Sequence, residues 1–368
     1  MTDKVKVLLN GKEYFKINNI VIQEGIDGFL SLRTTNINVL FNNIKTREFN
    51  ALLKDKGSLP IQVVINEKVW QDSFITQSNI DEQKNENGGT ILSINIPDIF
   101  QTLLNSDVID VYYQKHKTLQ LALSRTLKEL GFTDFQIKNG NGIQNIDLKN
   151  GGDKNFTKGG SCQDFLGEIC SLYKVILKSN GVNTLTIERY NSNKNITDNI
   201  YVITDLDGKV VRSNTQFIQK VGNGNNSPSR IIILNTKKMR DTSATSVIVP
   251  FKNGMPFTQR IRTLSMKASP QQTSEGITYE MMGMTAIANS NVYALPHKIF
   301  DRNGDFYSIN TLIKVRDEER GIDEDMNIVS FSTIIDSNGG SNTTLNLVNQ
   351  QAFDSLENLI TKKSLLKK

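Results

Sequence analysis

Two of the three Asn-Gly-Gly tripeptides in this sequence, at 87–89 and 338–340, join runs of strand-forming residues, and the runs around them come in the same order both times. In the first, Leu59-Pro60-Ile61-Gln62-Val63-Val64 leads through a turn to Trp70 and Phe74-Ile75. It then reaches Asn87-Gly88-Gly89 and Thr90-Ile91-Leu92-Ser93-Ile94-Asn95. In the second, Asn310-Thr311-Leu312-Ile313-Lys314-Val315 leads through a turn to Ile328-Val329 and Phe331. It then reaches Asn338-Gly339-Gly340 and Thr344-Leu345-Asn346-Leu347-Val348. Asn and Gly accept the positive φ that a tight hairpin needs, so each tripeptide predicts a turn between antiparallel strands. Two explanations stand. Either the chain carries two related β modules, or any antiparallel sheet with its turn glycines would look this way.

Residues 1–96 read as strands throughout. Val5, Val7 and Leu9 alternate with polar neighbours, and Asn10-Gly11 turns the chain into Tyr14 and Phe15. Ile20–Ile22, Phe29–Leu32, Ile37–Leu40, Ile61–Ile65, Val69–Ile75 and Thr90–Ile96 follow as spaced β segments, as a barrel or sandwich requires. Pro97 suits the first turn of a helix through Leu104. The pattern then changes. Leu119, Leu123, Leu127 and Leu130 recur at helical spacing before Gly131, and Phe132–Ile137 reads as a short strand. Ser161-Cys162-Gln163-Asp164 resembles a capping box opening a helix with the apolar stripe Cys162, Phe165, Leu166, Ile169, Cys170 and Tyr173. Val175–Leu177 and Leu185–Ile187 flank the hairpin Asn180-Gly181, and Asn139–Gly152 reads as a surface loop.

Strands return at Tyr201–Ile203, Arg230–Leu234, Ser246–Val249, Thr258–Leu264, Leu312–Val315, Ile328–Ile335 and Thr344–Val348. Gly222–Ser227 and Lys237–Ala244 read as polar loops, and the Met-rich Thr273–Ser290 as a helix candidate or ordinary core. The expected organisation is α+β, mainly β: a first tube-like β-barrel domain at 1–104, a small α+β domain at 105–198, a second barrel domain at 199–352 with irregular insertions, and an amphipathic basic tail at 353–368. At roughly 150 residues per domain, 368 residues fit this number of parts.

Composition narrows the chemistry. Two Cys and two His leave almost no material for a metal centre, a thiol enzyme or a His-based catalyst. A net charge of +5 is too small for this length to argue by itself for nucleic-acid binding. No run approaches the ~18 apolar residues that cross a bilayer, and Met1–Asn10 has no secretory apolar core, so the chain is expected to be soluble and cytoplasmic when made. On one helix, Cys162 and Cys170 would stand about 12 Å apart at ~1.5 Å rise per residue, beyond disulfide reach.

Individual motifs weigh little. Asp205-Leu206-Asp207-Gly208 and Asp301-Arg302-Asn303-Gly304-Asp305 lack the acidic ladder of a calcium loop and read as hairpin turns. Gly222-Asn223-Gly224 lacks the Lys-Ser/Thr of a phosphate loop. Asp317, Glu318, Glu319, Asp323, Glu324 and Asp325 could supply paired carboxylates, but Arg316 and Arg320 interleave as on a solvated hairpin. His116 lies between Lys115 and Lys117, and His297 follows Pro296, neither with a carboxylate or Cys companion. Asn155 and Asn195 begin Asn-X-Thr triplets, uninformative without secretion, and Lys362, Lys363, Lys367 and Lys368 form a basic end that reads as frayed or as a dock for an acidic partner.

The order of parts over residues 3–353 resembles the baseplate hub proteins of contractile-tailed phages, the group containing the T4 hub and the Mu-type tail protein. The likeness runs through the strand-turn-strand Val5–Phe15, the strand into a short helix Ile91–Leu104, and Thr118-Leu119 opening a helix. It is densest at Phe300, Gly304, Tyr307, Asn310, Val315, Asp317, Gly321, Val329, Phe331, Gly339, Gly340, Leu345 and Leu347. A longer loop at Asn139–Gly152 and an unlike stretch at Lys237–Pro256 depart from it.

The resemblance implies two tail-tube-like barrels and a homotrimeric ring that mimics six-fold order, joining tail tube to central spike around the genome channel. Tube protein, spike protein and the tape-measure protein are then the expected partners, in a virion baseplate assembled in a bacterial cytoplasm. No catalysis, cofactor, metal or membrane insertion is expected. DNA would pass without specific binding, so the lumen should avoid dense Lys and Arg. Two further readings remain: a cell-wall-binding or degrading tail module built on 105–198, against which aromatics are only 7% and the single Trp70 lies outside that region, and the hub of a tailocin-like injection system.

Overall fold

The computed structural model describes residues 3–27, 30–84, 89–105, 118–140, 143–146, 162–173, 175–189, 195–220, 230–235, 244–248, 261–266 and 290–349. β1 (Val5–Leu9) and β2 (Lys12–Glu13) form the expected hairpin, with φ of 49° at Asn10 and 74° at Gly11. Two successive positive φ values twist the turn with its strands. β3 (Ile17–Asp27) and β4 (Leu30–Phe41) pair along nearly their whole length, so the two short segments expected at 29–32 and 37–40 are one strand. α1 (Asn43–Lys56) has no counterpart in the sequence reading. β5 (Leu59–Ile65) and β6 (Lys68–Ile75) follow, then a 3-10 turn at Gln77–Asn79, β7 (Ile80–Lys84) and β8 (Thr90–Ile96). α2 (Gln101–Leu104) starts later than Pro97: a turn precedes it, in which the Asp98 carbonyl accepts from the Gln101 N–H and Asp98 Oδ1 from the Phe100 N–H.

α3 (Leu119–Glu129) ends as its spacing predicts. Gly131 has φ 90°, its N–H donates to the Lys128 carbonyl, and the Phe132 N–H donates to the Leu127 carbonyl. Those two bonds satisfy carbonyls that the helix itself leaves open. β9 (Gln136–Asn139), α4 (Cys162–Tyr173), β10 (Ile176–Ser179) and β11 (Thr184–Glu188) complete this region. The strand expected at 132–137 thus begins only at Gln136, and Ser161 lies outside the described residues. Cys162 and Cys170 are both buried and are not joined by a disulfide.

The last part holds β12 (Ile196–Thr204), β13 (Val210–Ser213), β14 (Gln216–Lys220), β15 (Arg230–Asn235), β16 (Ala244–Ile248), β17 (Ile261–Met266) and β18 (Asn291–Pro296). β19 (Leu312–Asp317), β20 (Ile322–Asp336) and β21 (Ser341–Asn349) close it. Of these, β13, β14 and β18 escape the sequence reading. Residues 273–289 of the Met-rich segment and the whole of 353–368 lie outside the described residues.

The strands fall into three sheets: β2-β1-β5-β6, β16-β15-β17, and a fourteen-stranded mixed sheet. Through the last runs an uninterrupted antiparallel path, β7-β8-β4-β3-β20-β21-β18-β14. β10-β11-β9 continues from β4 and β12-β13 from β19, with parallel pairings at β4·β10, β9·β11 and β12·β19. One apolar core unites the two ends of the chain, from Val7, Ile20 and Trp70 to Phe331, Leu345 and Leu347. A second core packs Leu119, Leu123, Cys162, Leu166 and Leu185 against Phe100 and Leu103. The chain is mainly β, as expected, but among the described residues none of the three sheets closes on itself. In the largest sheet β3 gives one edge to β4 and the other to β20.

Candidate functional site

Strands alternate their side chains between two faces, so register assigns every residue of the eight-strand path to one side. One side carries Ile20, Ile22, Ile37, Val39, Leu92, Ile94, Phe331, Ile335, Leu345 and Leu347, all buried in the common core. The opposite side is read off in rows. Thr34, Gln23, Ser332, Thr344, Ala294 and Gln216 stand in successive register across six strands. Asp81, Ser93, Asn38, Asn19 and Asp336 form a second row, and Asn95, Asn36, Val21, Ile334, Asn342 and Pro296 a third. These rows hold amides, hydroxyls, a few apolar side chains and two carboxylates. They hold no Lys and no Arg, in a chain with 43 of them. Neighbours tie the face together: Asn38 Nδ2 donates to Asn19 Oδ1 at 2.8 Å, and Asn346 Nδ2 to Ser330 Oγ at 2.5 Å.

Behind this face a buried polar node fixes three parts of the chain. Glu24, 1% exposed on β3, accepts from Arg33 Nε at 3.3 Å, from the Ser31 and Ser308 hydroxyls at 3.3 Å each, and from the Ile309 N–H at 3.4 Å. Arg33 also donates to the carbonyls of Trp70 at 3.2 Å and Asn180 at 2.6 Å, and its guanidinium lies 4.2 Å from the Trp70 ring centre. Trp70, fully buried, donates from Nε1 to Thr35 Oγ1 at 3.0 Å. A tryptophan so enclosed cannot stack on a glycan.

Gly181 enters this node at φ 74°, and a Cβ there would stand 2.7 Å from Arg33 Cδ and 2.8 Å from the Trp70 carbonyl oxygen. Gly181→Ala is therefore expected to cost about 2 kcal/mol or more, from left-handed strain plus overpacking. Gly208, with φ 78° and open space around it, should cost only about 1 kcal/mol on the same change. Thermal unfolding of the two variants side by side checks the difference.

Asp98 accepts from the Arg33 N–H, the Phe100 N–H and the Ser179 hydroxyl, each at 2.9 Å. Burial nevertheless outweighs these bonds and pushes its carboxyl up to about 6. The folded value lies above the unfolded one, so the protonated form favours folding. Stability linked to Asp98 is full below about pH 4 and is lost as pH rises through about 6. The expected gain on acidification from pH 7 to 4 is at most about 3 kcal/mol. Asp98→Asn should remove that pH-dependent component, read as the wild-type minus variant difference in urea unfolding across this range.

The residues singled out from sequence are distributed as turns and ion pairs. Asp205 Oδ1 accepts from the Asp207 and Lys209 N–H groups, and Asp301 Oδ1 from those of Asn303 and Asp305. Asp336 repeats the geometry with Asn338 and Gly340, a third copy of the same turn. In each case one carboxylate oxygen accepts two backbone N–H groups of the turn, which accounts for the Asp-x-Asx-Gly spelling as a turn motif. Among the described residues no three ligating side chains cluster as a metal site requires. In the acidic hairpin, the Thr204 N–H and then Arg316 hold Glu318 below its ordinary range, and Lys314 does so for Asp323. A general acid needs the reverse shift. Asp317 is engaged by Tyr293 and Arg320. Exposed His297 sits at φ 56° in a turn, its N–H on the Ser341 carbonyl. His116, Asn155, Gly222-Asn223-Gly224 and the terminal lysines lie outside the described residues. No helix among the described residues is long and apolar enough to cross a membrane.

Compared with solved structures, the chain is similar to the tail protein from Neisseria meningitidis MC58, with a TM-score of 0.66, 15% identity, and coverage of 96% of this chain and 98% of that one. It is equally similar to the 43 kDa tail protein of prophage MuSo2 from Shewanella oneidensis, with a TM-score of 0.66, 15% identity, and coverage of 95% and 99%. No family model matches the sequence. No curated protein matches it either. At this identity the likeness is one of fold, and the fold is that of phage-type tail proteins, as the sequence resemblance implies.

Proposed function

We propose that a chain of this fold serves as a structural baseplate hub, three copies forming a ring between tail tube and spike with the cation-free sheet face turned to the channel. In this reading 1–104 and 199–352 are two tube-like modules, 105–198 lies between them, and 353–368 is a basic tail. The observation that carries it is the strand order. β7-β8-β4-β3 and β20-β21-β18-β14 are two four-stranded units of matching connectivity, laid head to tail and joined by β3·β20. The repeated Asn-Gly-Gly supports the same equivalence, since it links β7 to β8 in one unit and β20 to β21 in the other. A head-to-tail joint inside the chain leaves complementary ends outside it, the condition for closing a ring by rotation.

Function is then geometric. The face supplies hydrogen-bonding groups that water satisfies, and no fixed cation to hold a phosphate backbone in transit. Tube and spike are the partners this reading requires, and the virion baseplate is its place. Particle mass in solution, together with negative-stain images, tests it: three chains per particle and a central opening are expected. A chain that stays monomeric at every concentration overturns it.

A further inference from the structure

We infer that the ring closes by one defined strand pairing, β14 of one copy against β7 of the next, with Lys220 opposite Glu82 and Gln219 opposite Gln83. The inference rests on the ring reading above and adds its register. Among the described residues β7 pairs only with β8 and β14 only with β18, so each presents an open edge of unpaired backbone groups.

The internal joint supplies the register. Aligning Asn87-Gly88-Gly89 with Asn338-Gly339-Gly340 makes Leu92 equivalent to Thr343. Glu82, which faces Leu92, is then equivalent to Thr333, which faces Thr343, and Gln83 to Ile334. On the other side, Ile94 pairs with Ile37 and Leu345 with Tyr293, making β18 the counterpart of β4. Through them Lys220 takes the place of Ile22 and Gln219 that of Val21. Inside the chain Thr333 faces Ile22 and Ile334 faces Val21. Substituting the equivalents puts Glu82 opposite Lys220 and Gln83 opposite Gln219.

Nothing in that alignment used charge, yet it places opposite signs together. Both side chains are exposed and both fall on the helix side of the sheet, where Glu82 accepts from Asn50 Nδ2 of α1 at 2.6 Å. Neither is in an ion pair among the described residues. Charges on a strand edge discourage indiscriminate pairing and admit the edge that meets them. The direction is consistent too: continuing the antiparallel alternation past β14 requires a strand that runs as β7 does.

The test compares particle mass for the wild-type chain, Glu82→Lys, Lys220→Glu and the double variant at matched concentrations. Each single change sets like charges against each other and should raise the dissociation constant by about tenfold or more. The double change should restore it. Independently, Gln83→Cys with Gln219→Cys should give disulfide-linked oligomers on mild oxidation, while the buried Cys162 and Cys170 stay inert. Rings that ignore both single reversals and fail to cross-link overturn this register while the ring reading stands. A monomeric wild-type chain overturns the ring reading itself, and this one with it.

Discussion

Arg33→Ala is expected to lower the free energy of unfolding by about 3–5 kcal/mol, because it strands the Glu24 carboxylate inside the protein. Glu24 has no solvent-exposed side-chain surface and Arg33 only 12%. With Arg33 gone, two serine hydroxyls and one N–H are left to hold a buried negative charge. The same change removes the stack on Trp70 and the bond to the Asn180 carbonyl, and so loosens the β10–β11 hairpin from β6. Trp70, the only tryptophan, sits directly under the guanidinium, and its fluorescence reports the node during urea unfolding. If the stranded charge is the main cost, Arg33→Ala in a Glu24→Gln background should cost at least about 1 kcal/mol less. Equal costs in both backgrounds would assign the effect to packing on Trp70 instead.

The second large effect concerns the sheet face. Asn95→Lys, Gln23→Lys and Thr344→Lys place one cation on each of β8, β3 and β21, with β4 and β20 intervening so that no two stand on adjacent strands. The combined variant should bind single- and double-stranded DNA where the wild-type chain shows little retention. Its affinity should fall about twentyfold or more between 50 and 200 mM salt, as roughly three neutralised phosphates per chain require. Fluorescence anisotropy with a labelled oligonucleotide measures both quantities. Wild-type binding as tight and as salt-sensitive as the variant's would mean that the bare face does not set the interaction.

How much of this was legible beforehand depends on how local the cause is. Asn10-Gly11, Asn180-Gly181 and Gly131 each dictate a turn or cap by their own backbone preferences, and each is found where the sequence places it. α1 escaped because its buried residues are few, Phe49 and Leu53 with Thr46, while the apolar Ile44 stands exposed and Leu52 is only partly covered. Its punctuation was there to be read, with the Asn42 side chain accepting from the Lys45 N–H and Gly57 at φ 72°. β18 was hidden because all but its ends are buried, so Asn291–Pro296 shows no alternation. β14 was hidden for the opposite reason, being an exposed edge with only Phe217 partly covered.

The face without cations was not legible at all from composition, since a net charge of +5 says nothing of where 43 Lys and Arg stand. It follows from which residues share a row, and that is set by β3·β20, a pairing between positions some three hundred residues apart. Sequence alternation fixes the side of a strand but not its neighbour. The echo around those two Asn-Gly-Gly turns traced only part of that arrangement: it matches β8 with β21, but it sets Trp70 and Phe74-Ile75 of β6 against β20, whereas the strand that pairs with β8 across the turn is β7.

The joint between β3 and β20 also has a mechanical character. Its seven paired positions form a ladder whose hydrogen bonds lie across the strands. A thrust directed along the strands must shear all of them at once, whereas a force prising the two units apart can open them one after another. Such a joint is stiff to force along its strands and weakest to splaying, so its forced opening would begin as an unzipping from one end of that ladder.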